Sequence, residues 1–143
     1  MKRYLALVAT LLLTLTGASS SAAESGPPRC TKKLYRQADA ALTPVENWSA
    51  LHRYYRAYGD CRDGYLGEGV SEKVETLLAE HWETLPELAG LARNDLGFER
   101  FVLAQLGETN SAGFTKQLTE LSDRRCPKGA EAVCRRLSAA ARR

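Results

Sequence analysis

The stretch Leu96–Leu106 (LGFERFVLAQL) constrains the fold more than any other, because Leu96, Phe98, Phe101, Val102, Leu103 and Leu106 cannot share one helical face. Plotted at about 100° per residue they surround the axis and leave Glu99, Arg100 and Gln105 as wedges to water, the pattern of a central buried helix. The remaining segments read as amphipathic helices packed around it. No stretch alternates with period two, so no strand is expected. The fold class is all-α, a compact bundle of five to seven short helices around a central helix near 95–107, stapled by two disulfides.

The first residues set the compartment. Met1 to Ala23 combine a basic start (Lys2, Arg3), an apolar run from Leu5 to Leu15 and the small-residue stretch GASSSAA. This is the pattern of a signal peptide cleaved after Ala23, with Ser21 and Ala23 at the small positions and an apolar run too short to span a bilayer. No cysteine stands at the cleavage point to carry a lipid anchor. Residues 24–143 are then expected as a single periplasmic or secreted domain, with an arm and short helix over 24–42 and the helical domain over 43–143. Export also gives meaning to Cys30, Cys61, Cys126 and Cys134, since an even number of cysteines in an oxidising compartment points to disulfides. Three pairings are possible on paper. Cys126 and Cys134 flank a Pro-Lys-Gly turn that would clip one helix end to the next, which leaves Cys30 to pair with Cys61. The chain has no C-x-x-C for thiol redox chemistry and no C-x-x-C-H for haem.

Charge is unevenly spread. Without Lys2 and Arg3 the chain carries 18 basic against 17 acidic groups, yet Asp60–Arg100 holds ten acids against four bases, and Arg124–Arg143 seven bases against Glu131 alone. A two-ended molecule favours an oriented protein partner over nucleic acid, which calls for a continuous basic surface.

Capping signals divide the rest. A short helix is expected over Lys32–Ala41. Thr43-Pro44-Val45-Glu46 reads as the start of a second, with a hydroxyl cap, proline in the first turn and Glu46 completing a capping box; Val45, Trp48, Leu51, Tyr55 and Tyr58 form its apolar line and Gly59 ends it. DCRDGYLGEGV (60–70) is expected as a loop, after which Ser71 caps a helix lined by Val74, Leu77, Leu78 and Trp82. Thr84-Leu85-Pro86-Glu87 starts another, through Ala92. Asn94 or Asp95 caps the central helix and Gly107 closes it. A last pair is expected over Ser111–Arg125 and Lys128–Ala141.

The 60–71 loop joins backbone freedom to polar side chains, and Asp60, Asp63, Tyr65 and Glu68 are its candidate binding residues. It fails as a calcium loop: an EF-hand starting at Asp60 needs oxygen ligands where Arg62 and Gly64 stand and a glutamate where Ser71 stands. It fails equally as a phosphate loop, since Gly67-Glu68-Gly69 lacks the Walker lysine and follows no strand. His52 and His81 lie beside aromatic residues without zinc-ligand spacing, so no metal and no cofactor is expected. Glu68, between two glycines, and Glu83, beside Trp82, are the acids a glycan hydrolase would use, but a general acid requires burial and acids at this spacing are usually solvated surface carboxylates. Ser71 lacks the second half of a G-x-S-x-G elbow.

The run DGYLGEGVSEKVETLLAEHW, followed by LPEL, FERFVLAQL and CPKGAEAVC, resembles a group of small exported proteobacterial proteins over about Thr43 to Leu137. The resemblance implies a shared helical fold and shared cysteines and carries no active-site residues with it. In size, export and helix content the chain is also similar to periplasmic immunity proteins that neutralise cell-wall-degrading toxins. The functional expectation is a non-enzymatic, exported binding or inhibitor module. Its contact surface is loop 60–71, its partner another exported protein presenting basic groups, and it has no stable membrane insertion. The alternatives are a small glycan-directed hydrolase with a glutamic general acid and a structural envelope adaptor.

Overall fold

A computed structural model describes residues 30–107 and 110–143; the signal-peptide and leader expectations fall outside them. Among the described residues there are seven α-helices and no strand: α1 (Lys32–Leu42), α2 (Trp48–Tyr58), α3 (Tyr65–Glu80), α4 (Leu85–Asn94), α5 (Leu96–Leu103), α6 (Ala112–Arg124) and α7 (Glu131–Ala141), with one 3₁₀ turn at Trp82–Thr84. The all-α, disulfide-stapled bundle is therefore the fold. Both disulfides join the expected partners, Cys30 with Cys61 and Cys126 with Cys134. Among the described residues no helix is long and apolar enough to cross a membrane.

One core runs through the bundle. α2 contributes Trp48 and Leu51, α3 Leu66, Val70, Val74 and Leu78, α4 Leu85 and Leu88, α5 Phe98 and Val102, and the C-terminal pair Leu118 and Leu137, all buried. The 3.6-residue spacing of these positions is what gives each helix one apolar side to bury. α5 packs against α2, α4 and α7, and α6 lies along α7 and against α3.

α5 is less completely apolar-walled than its sequence suggests. Leu96 is 64% exposed, while Glu99, expected to face water, is buried with its carboxylate 2.5 Å from Arg136 Nε on α7. Leu103 and Leu106 are half-buried, and the helix ends at Leu103 in tight turns, ahead of Gly107. Proximity to a cation turns the Glu99 wedge inward: a buried carboxylate is tolerated once it is paired and hydrogen-bonded.

Several helix starts are also relocated. α2 begins at Trp48, capped by Asn47 Oδ1, which accepts from the Ala50 N–H at 2.8 Å; Thr43 instead closes α1. The chain from Pro44 to Glu46 is a connection, because Val45 must leave helical geometry to reach the core, where it is buried. Helix α3 starts at Tyr65, six residues before Ser71, so only Gly64, at φ 55°, uses the left-handed backbone freedom expected of the whole run. Gly67 and Gly69 sit inside α3: at Gly67 a Cβ would lie 2.4 Å from the Arg62 carbonyl oxygen, too close for a side chain, and at Gly69 it would meet the tip of Leu42, 2.8 Å from Cδ2. Ser71 is thus no cap, and its Oγ lies 3.0 Å from both the Gly67 carbonyl and Gln105 Oε1. Trp82 leaves the α3 line for the 3₁₀ turn, where its indole N–H donates to the Arg125 carbonyl at 2.8 Å. α4 does begin at Leu85, without a capping box: Thr84 accepts from the Trp48 indole N–H, and Glu87 accepts from the backbone N–H and hydroxyl of Ser49 in the first turn of α2.

Candidate functional site

The segment from Asp60 to Glu68 is built as follows. α2 ends at Tyr58, the Cys61 N–H turns back to the Tyr58 carbonyl at 2.7 Å, and the Cys61 side chain is buried and bonded to Cys30. Three residues later Gly64 swings the chain into α3. Anchored at Cys61 and again at the buried Leu66, the segment leaves Asp60, Arg62, Asp63, Tyr65 and Glu68 exposed. Tyr65 is 68% exposed and, with Leu96, is one of the two large hydrophobic side chains left to solvent among the described residues. Tyr65 and Glu68, three apart on α3, share a face, and the Glu68 carboxylate in the first turn is favoured by the helix dipole. All four sequence candidates are therefore accessible. They belong to a short connection and the first turn of a helix, where the sequence reading expected one long loop.

Beside this segment the packing of α2 on α5 opens a groove of about 660 Å³, within the range of small-molecule sites. Its apolar floor is the half-buried ring of Tyr55, which tilts by 45° onto the buried Phe101 with ring centroids 5.0 Å apart. Gly97 makes that floor possible, since a Cβ there would stand 2.4 Å from the Tyr55 hydroxyl. Arg56, Arg62 and Arg100 also line the groove, with Asp60 as the one acidic residue. Of the sequence candidates only Asp60 lines it. Sequence reasoning missed the rest because no motif spacing joins Tyr55–Arg56, Arg62 and Arg100; Arg100 looked like one more solvated wedge.

A polar cluster adjoins the groove. His52 Nε2 lies 3.0 Å from Asp95 Oδ2, Arg56 Nη1 lies 3.5 Å from the same oxygen, and Asp95 Oδ1 accepts from the Phe98 N–H to cap α5. The hydrogen bond with His52, followed by that from Phe98, holds the Asp95 carboxyl below its ordinary value. His52 packs against Phe98, ring centroids 4.7 Å apart, so its place is that of a packing and hydrogen-bonding residue on α2. His81 is exposed at the C-terminal end of α3, with Nδ1 3.9 Å from Glu83.

The two hydrolase candidates lack the surroundings their chemistry needs. Glu83 has a side chain 73% exposed and Glu68 is exposed, so neither has the apolar wall that keeps a general acid protonated. The buried acid is Glu99, and Arg136 neutralises it. This pair joins the acidic stretch to the basic end of the chain, while Arg142 of that end pairs with Asp123 on α6. Compared with protein-family models, curated proteins and solved structures, the chain matches none.

Proposed function

We propose that the chain is an exported binding module of inhibitor or immunity type, and that the segment Asp60–Glu68 is its contact surface for another exported protein. The observation that carries this reading is Tyr65, an aromatic side chain 68% exposed among carboxylates on a segment anchored by a disulfide. An aromatic anchor costs little conformational entropy to place, and Asp63 and Glu68 offer charge-assisted hydrogen bonds around it, the composition of an interface hot spot. Rigidity adds to this, since an anchored segment has less freedom to lose on binding. The signal-like first 23 residues and the two disulfides suit an oxidising compartment outside the cytosol.

The test compares the tagged parent with an Asp63→Ala, Tyr65→Ala, Glu68→Ala triple variant as baits for exported proteins of the source cell. The three side chains are exposed, so the variant keeps the parent's helical circular dichroism and melting temperature while losing the partner. Binding by the parent weakens as salt rises, because exposed charges are screened within about 10 Å at 0.1 M ionic strength. A triple variant that retains the partner with the parent's affinity and salt dependence removes this surface from consideration.

A further inference from the structure

The groove between α2 and α5 holds an unusual combination for so small a domain. Arg62 and Arg100 both line it, and neither forms an ion pair among the described residues. Arg100 is held in place by its Nε, which donates to the Leu96 carbonyl at 3.2 Å and leaves its two terminal nitrogens available. Arg56, the third guanidinium, is already shared with Asp95. Three cations beside one carboxylate give the groove a positive potential within a stretch of chain whose charge is otherwise mostly acidic, and the half-buried Tyr55 ring, backed by the buried Phe101, supplies an apolar surface next to them.

We propose that this groove is a binding site for a small organic oxyanion, a phosphate ester or carboxylate carried on a flat apolar body. Guanidinium groups bind such oxygens through paired, charge-assisted hydrogen bonds, and the aromatic floor takes the body by offset or edge contacts. Both parts are required. Oxyanion contacts alone on an open groove compete with water and salt, and the floor alone discriminates poorly among apolar bodies. Gly97 leaves room for the Tyr55 hydroxyl, which would stand 2.4 Å from a Cβ at that position. The site borders the protein-contact segment through Asp60 and Arg62, whereas Asp63, Tyr65 and Glu68 do not line the groove, so the two can be tested apart.

Phenyl phosphate is the probe, followed by NMR chemical-shift titration of the full mature chain, with inorganic phosphate and benzyl alcohol as the two half-ligands. Saturable binding of phenyl phosphate is expected, with shifts centred on Tyr55, Arg100 and Phe101, and with both half-ligands binding at least about tenfold more weakly. An Arg62→Ala, Arg100→Ala variant, both positions exposed and unpaired so that the fold is kept, should lose at least about tenfold in affinity. The proposal is overturned if phenyl phosphate gives no saturable shifts in the groove, if inorganic phosphate binds as well, or if the folded double variant binds like the parent. The Asp63, Tyr65, Glu68 triple variant should bind the probe unchanged, which keeps this result separable from that of the protein-contact test.

Discussion

Tyr54 is buried with no partner for its hydroxyl, and burial above all, with the nearby Asp39 carboxylate next, pushes its pKa up to about 12. An unsatisfied hydroxyl in an apolar setting is a net cost, while its ring packs against Tyr58 at 5.5 Å and contributes favourably. Tyr54→Phe keeps the ring and removes the cost, so the variant is expected to gain about 1 kcal/mol, read as a higher urea midpoint at unchanged m-value. Asp95 works the opposite way. Its carboxyl pKa is lower in the folded chain than in the unfolded one, so its stabilisation is fully present above the ordinary carboxylate value and is lost as pH falls through the lowered value. Asp95→Asn keeps a cap for Phe98 and discards the charge; stability measured by urea from pH 5 to pH 2 should fall less steeply in this variant than in the parent. Caps of this kind were legible in part. Asp95, one of the two caps expected for α5 beside Asn94, is the one used, and α6 follows Ser111 where a helix was expected to start, because a cap needs only a polar side chain three residues from its N–H. Thr43 and Ser71 have the same local chemistry and serve elsewhere, since Asn47 and Gly64 occupy the turning points that packing selects.

Element α5 carries more of the fold than its eight residues suggest, because it touches three other helices and one wall of the groove. Phe101 is 3% exposed against Tyr55 and Phe98. Phe101→Ala should therefore cost about 3 to 5 kcal/mol, a large part of a small domain's stability, and lower the melting temperature by more than about 10 °C. A shift of only a few degrees would mean that α5 is peripheral. Glu87 shows what an element alone cannot reveal: three residues after Thr84 it has capping-box spacing, yet it serves the N-terminus of the neighbouring helix α2. Glycine is the other ambiguous letter. Gly64 supplies backbone freedom, while Gly67 and Gly69 supply room, and the sequence writes both in the same way.

Over the whole molecule the two disulfides differ in what they hold. Cys30–Cys61 spans 31 residues and ties α1 to the α2–α3 connection, whereas Cys126–Cys134 spans 8 and clips α6 to α7. Loop-closure entropy then assigns about 3.5 kcal/mol to the first and about 2.5 to the second. Replacing each pair by serines should lower the melting temperature in that order, and the Cys30→Ser, Cys61→Ser variant should also loosen the groove wall formed by Leu34, visible as faster amide exchange in α1. The sequence by itself determined the helical class and the position of most helices, because these rest on interactions a few residues long, the 3.6-residue apolar repeat and the caps; it favoured the short Cys126–Cys134 clip among three possible pairings, and the structure selected that pairing with Cys30–Cys61. Only the tertiary structure decided that Glu99 is buried on Arg136, that Glu87 caps α2, and that Arg56, Arg62 and Arg100 line one groove with Tyr55. Those meetings depend on the angles and distances at which helices pack, which are set by the shapes of side chains from the whole core and have no periodic trace along the chain.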